Sequence, residues 1–149
     1  QFRKRRIDME ALIEARNLKK HFDSPKGKVH AVDDVSFKIM PGRTMGVVGE
    51  SGCGKSTLGR TMIHLLQSTE GSIYFEGKDV TKVKDKELMR LREKMQIIFQ
   101  DPYASLDPRK TVFQILAEPF WIHHPEMSKE EIYREVEKLI ECVVRVIHV

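Results

Sequence analysis

Cysteine is scarce in this chain: Cys53 and Cys142 are the only two among 149 residues. Two thiols cannot build a disulfide framework or a four-thiolate metal site, and they suit a reducing, cytosolic setting. No apolar run approaches the ~20 residues a membrane-spanning helix requires, and no secretory apolar segment opens the chain. Internal repeats and low-complexity tracts are lacking too. With 40% hydrophobic and 32% charged residues, the chain falls in the globular class and outside the disordered one. A marked excess of one charge is also absent once the head is set aside. The net charge is +4, of which Arg3, Lys4, Arg5 and Arg6 against Asp8 supply +3. Phe2 is the only aromatic residue in that head, so it offers no stacking platform for single strands, and no nucleic-acid partner is expected. Residues 1–8 read as a solvated basic extension ahead of Met9, a natural start.

Both secondary-structure periods are present. Val35, Phe37 and Ile39 alternate with polar neighbours, the pattern of a half-exposed strand. Pro41-Gly42 then predicts a turn, and Thr44–Val48 is a compact apolar run of the kind covered on both faces in a parallel sheet. From Lys55 the period lengthens, with Leu58, Met62, Leu65 and Leu66 on one helix face. Ser72–Phe75 predicts a short strand, Glu76-Gly77 a turn, Asp85–Glu93 a polar helix, and Met95–Phe99 a second covered strand. A short helix is expected over Val112–Ala117, with Pro119 and Pro125 bracketing a loop. Ser128 with Glu131 three residues on predicts a capping box. Ile132, Val136, Leu139, Ile140 and Val143 follow as an apolar stripe, on whose side Cys142 reads as packing. Alternation of the two periods predicts an α/β layer architecture.

Gly49-Glu50-Ser51-Gly52-Cys53-Gly54-Lys55-Ser56 is a complete G-x-x-x-x-G-K-[ST] between a strand-like run and a helix. Glycines let successive N–H groups curl around a phosphate, and the helix that begins there adds its positive end. Lys55 supplies a point charge for the β- and γ-phosphates, and the Ser56 hydroxyl can ligate Mg²⁺. Cys53 occupies a variable position of the motif, which tolerates many residues. The six histidines show no ligand spacing to cysteine or acid, and read as surface or structural.

A phosphate loop alone leaves GTPases, kinases and motor ATPases open. Ile97-Ile98-Phe99-Gln100-Asp101 resembles a strand ending in a metal-holding Asp, as a compact kinase or GTPase would have, but Gln100 intervenes and Pro102 follows directly. The stretch Gly49–Thr57 with Leu58-Gly59-Arg60, the hairpin Gly71–Asp79, and Ile97–Pro102 resemble the ATP-binding-cassette ATPases. Tyr103–Val112 and Ala117-Glu118-Pro119 are similar to the oligopeptide and dipeptide importer branch, with Asp107 where that branch more often shows Asn.

The resemblance implies a P-loop fold with a RecA-like core, an antiparallel β subdomain and the start of a helical subdomain, residues 9–149 being the N-terminal part. It implies ATP and Mg²⁺ bound by Gly49, Ser51, Gly52, Cys53, Gly54, Lys55, Ser56 and Thr57. Gln100 takes the place of a glutamine that reaches the metal and the attacking water. Phe22 lies 27 positions before Gly49, where the family carries an aromatic that stacks on adenine; a core plug is the other reading of such a residue. Implied partners are a second ATPase subunit and two transmembrane permease subunits, at the cytoplasmic face of the plasma membrane. The family's signature Leu-Ser-Gly-Gly-Gln, Walker B Asp, catalytic Glu and switch His have no counterpart in this sequence, and the family pattern fades after Val143. A nucleotide-binding piece without turnover is therefore the alternative to a working ATPase.

Overall fold

In the computed structural model, which describes residues 10–101 and 103–147, the chain opens with a long antiparallel hairpin. Strand β1 (Ile13–Ser24) and strand β2 (Gly27–Ile39) turn at Pro25-Lys26. β1 also pairs antiparallel with β3 (Glu70–Phe75), and β3 with the short β4 (Lys78–Asp79), giving the order β2-β1-β3-β4. The register slips near Asn17, where Asn17 and Asp34 both take positive φ, 46° and 54°. Their side chains join, Asn17 Nδ2 donating to Asp34 Oδ1 at 2.8 Å, so the irregularity is a hydrogen-bonded bulge.

One face of this sheet carries the first core: Ala15, Leu18 and Ile73 from the strands, Met62 from helix α1 (Lys55–Met62), Val80, and Leu91 from helix α2 (Asp85–Lys94). Residues 1–95 and 96–149 form two compact units. In the second, helix α3 (Val112–His123) and helix α4 (Lys129–Ile147) bury Ala117, Ile132 and Val136 against Phe113, Leu116 and Phe120. The expected Ser128–Glu131 capping box is formed, with Ser128 N donating to Glu131 Oε2 at 2.8 Å and Glu131 N to Ser128 Oγ at 3.3 Å.

The α/β class holds, and five local expectations are corrected. Thr44–Val48 and Met95–Phe99 form no strands among the described residues, and Val48 and Ile98 are 93% and 90% exposed. An apolar run needs ladder partners and a cover on each face to become a central strand. The strands that the resemblance places beside it carry the Walker B and switch-His motifs, which this sequence does not contain. Next to the first run lies an open apolar cavity of about 270 Å³ between Met45, Val47, Ile13 and the Leu58–Met62 face of α1. Helix α1 stops at Met62 rather than at Leu66, because His64 turns left-handed with φ 58°.

Pro119 sits inside α3 rather than beside a loop. A capping box at Thr111 and Gln114, missed in the sequence, starts that helix. Beyond Val136 the stripe of α4 is open: Leu139, Ile140, Val143 and Cys142 are all exposed. The basic head at residues 1–8 lies outside the described residues.

Candidate functional site: the phosphate loop

Helix α1 begins immediately after the glycine-rich loop. Its N-cap is Gly54, with φ 94° and no side-chain cap, and no acidic residue occupies its first turn. The free N–H groups and positive dipole end of α1 are thus left for an external anion. Gly54 is fixed by packing as well as by φ, since a Cβ there would strike the carbonyl oxygen of Ala31 in β2. That contact seats the loop on the antiparallel sheet. Gly52 also takes a left-handed φ of 81°, and Cys53 N donates to Glu50 O at 3.4 Å to close the bend between them.

Lys55 turns back across this bend. Its Nζ donates to the carbonyl oxygens of Gly49 at 2.7 Å and Glu50 at 2.6 Å, and lies 3.6 Å from Cys53 Sγ. A half-buried ammonium is thereby held beside an uncapped helix start, a donor set that fits the charged oxygens of a nucleotide's terminal phosphates. Ser51, Gly52, Cys53 and Ser56 are exposed, Thr57 is half-buried, and the Ser56 hydroxyl is accessible to a metal. The absence of a side chain at Gly49 leaves room for the Cys53 thiol, since a Cβ on Gly49 would lie 2.6 Å from Cys53 Sγ.

The other expected site residues fall elsewhere. Phe22 is on β1 in the same unit as the loop, 38% exposed and outside the buried cluster, with Lys20 Nζ 4.8 Å from its ring centroid. Its ring is thus partly open to solvent. Gln100 is exposed and belongs to the second unit. Asp101, the acid on which the compact kinase or GTPase reading depends, is a local turn former: its Oδ1 accepts from Tyr103 N at 3.1 Å and its carbonyl from Ser105 Oγ at 3.3 Å.

One grouping escaped the sequence reading. His21 and His30 are directly paired across the β1–β2 hairpin, and Asp33 meets both, contrary to the expectation that no histidine is grouped with an acid. The signal was in the hairpin register, which linear spacing does not show. Hydrogen bonds donated by the two rings, that of His21 first, hold the Asp33 carboxyl below its ordinary value.

This cradle, set on an antiparallel sheet and followed by the β3–β4 hairpin, defines an ATP-binding-cassette piece. The ABC transporter family matches residues 32–145, and the chain belongs to that family. Among curated relatives it is 51% identical over 135 residues to the oligopeptide transport ATP-binding protein OppF of Bacillus subtilis, covering 90% of this chain and 44% of that protein. The dipeptide transport ATP-binding protein DppF of Escherichia coli is 46% identical over 128 residues, 82% of this chain and 38% of that protein. The chain thus spans about two fifths of the length of these relatives. Among solved structures, the dimeric ATP-binding cassette MJ0796 in a post-hydrolysis state with ADP and Pi superposes with a TM-score of 0.72 at 25% identity. That match covers 87% of this chain and 56% of the cassette. No helix among the described residues is long and apolar enough to cross a membrane.

Proposed function

We propose that this chain is the phosphate-binding part of an ATPase subunit that powers oligopeptide or dipeptide import. In the assembled transporter it pairs with a second such subunit beneath two membrane permeases, at the cytoplasmic face. The observation that carries this reading is the Lys55 ammonium drawn onto the Gly49 and Glu50 carbonyls beside the uncapped start of α1. Lys55 and the backbone N–H groups of the loop would hold the β- and γ-phosphates of ATP, and Ser56 would ligate Mg²⁺. Bound Mg²⁺ supplies charge neutralisation between those phosphates. Gln100 would take the part of a glutamine that reaches the metal and the attacking water, and Phe22 would stack on the base. Support for the importer branch comes from the OppF and DppF relatives, whose names state peptide transport.

Peptide uptake tests this directly. Joining residues 1–149 ahead of the remaining length of B. subtilis OppF, in a strain lacking its own, should restore oligopeptide uptake, and the same chimera with Lys55→Ala should not. A chimera that folds and binds ATP but imports no peptide would remove the importer reading while leaving the nucleotide site intact.

Phe22 provides a second test. Phe22→Trp should keep the affinity for Mg-ATP, whereas Phe22→Ala should lose ~1–3 kcal/mol, the worth of one aromatic–base stack. Because the ring is 38% exposed, the alanine variant should melt close to the wild type. Unchanged nucleotide affinity in titration calorimetry, together with a lower melting temperature, would return Phe22 to a packing role.

A further inference from the structure

The hairpin that bears Phe22 carries a second constellation, independent of the phosphate loop. His21 on β1 and His30 on β2 are directly opposed in the register. Their rings stack with centroids 3.9 Å apart and planes inclined by 28°. Asp33 follows three residues after His30 and bridges them: Oδ1 lies 3.2 Å from His21 Nε2 and Oδ2 lies 3.3 Å from His30 Nδ1. All three potential ligand atoms fall within 4.8 Å of one another. Opposed strand residues have Cβ atoms only about 4.5–5.5 Å apart, which is why a cross-strand pair can share one ion.

We propose that His21, His30 and Asp33 form a binding site for a divalent transition metal of the Zn²⁺ class. Two ligands at the ~2.0–2.2 Å distances of zinc, on adjacent corners of a tetrahedron, are themselves about 3.3–3.5 Å apart. The two His–Asp separations are therefore already close to a coordination edge, and small side-chain rotations admit the ion. Two imidazoles with one carboxylate select Zn²⁺, Ni²⁺ or Cu²⁺ over Mg²⁺ and Ca²⁺, which prefer all-oxygen shells. The fourth position is left to water, since His30 and Asp33 are about half exposed while His21 is largely covered. Lys19, two residues before His21 on β1, has its charge paired with Glu70 at 2.9 Å. A bound ion would clamp β1 to β2 one register step from the Phe22–Val29 pair, and so fix the strand that presents the Phe22 ring.

The test uses the whole chain after chelator treatment, titrated with Zn²⁺ alone and, for spectroscopy, with Co²⁺. The expected result is one saturable Zn²⁺ equivalent, a rise in melting temperature with Zn²⁺, and tetrahedral d–d absorption with Co²⁺. His21→Ala, His30→Ala and Asp33→Asn should each weaken binding by roughly tenfold or more. His124→Ala, which alters the exposed histidine next to Glu126, should leave it unchanged. Should a variant fail to fold, NMR of the wild type decides: Zn²⁺ should shift the ring C–H signals of His21 and His30 before those of His64, His123 and His124. Equal affinity in the His21, His30 and Asp33 variants, shifts elsewhere first, or no saturable binding would overturn the site. None of these outcomes depends on the nucleotide.

Discussion

Replacing Lys55 by alanine is expected to weaken Mg-ATP binding on the order of a hundredfold, while Lys78→Ala leaves the affinity unchanged. Lys55 stands where the loop meets α1, its ammonium gathered by two loop carbonyls, and charge-assisted hydrogen bonds contribute about 1.5–3 kcal/mol each. Two such bonds at the low end of that range, about 3 kcal/mol together, give the hundredfold figure. Lys78 has the same charge but sits exposed on β4, away from the loop. General electrostatic attraction would therefore weaken equally in both variants, whereas a cradle discriminates between them. Calorimetry with Mg-ATP reads the difference. The melting temperature without nucleotide shows whether Lys55→Ala has also loosened the loop it braces, and equal affinities in the two variants would end the assignment.

The second large effect concerns turnover. Residues 1–149 should hydrolyse ATP at background rate even where they bind it, and the chimera carrying the rest of OppF should hydrolyse it in multiple turnovers. Phosphoryl transfer depends on positioning and electrostatics around the γ-phosphate and on a group that orients the attacking water. The loop supplies the first part. The family's catalytic Glu and switch His have no counterpart in the sequence, and Asp101 is engaged in its own turn with Tyr103. Only in the chimera should Gln100→Ala cause a measurable loss of rate. Rapid hydrolysis by residues 1–149 alone, abolished by Asp101→Ala, would instead favour a compact phosphate-loop enzyme that uses Asp101 on the metal.

What could be read from the sequence divides along a physical line. Local signals were legible because they act over a few residues: the loop and its helix, the Ser128–Glu131 box, and the turns at Pro41-Gly42 and Glu76-Gly77. Apolar runs were legible as apolar, but a strand is a relation between segments. Thr44–Val48 and Met95–Phe99 have the composition of central strands without ladder partners among the described residues, and all but half-buried Met95 remain exposed. Pro119 was misread for a related reason. Proline is ordinarily a breaker, yet here Phe113, Leu116, Ala117 and Phe120 pack against α4 and carry the helix through it. The His21–His30–Asp33 group needs the hairpin register to appear at all, since nine positions separate the two histidines. The partial exposure of Phe22 likewise depends on tertiary packing.

The central claim is that Gly49–Ser56 is a cradle for the terminal phosphates of a nucleotide, and a wild-type titration with ATP, ADP and AMP in the presence of Mg²⁺ tests it most directly. Because Lys55 and the α1 N–H groups would meet the β- and γ-phosphates, affinity should fall from ATP and ADP to AMP by an order of magnitude or more. By mass action ATP should also raise stability by about 2.7 kcal/mol at a hundredfold excess over Kd. Equal binding of AMP and ATP, or no saturable binding by a folded chain, would contradict it.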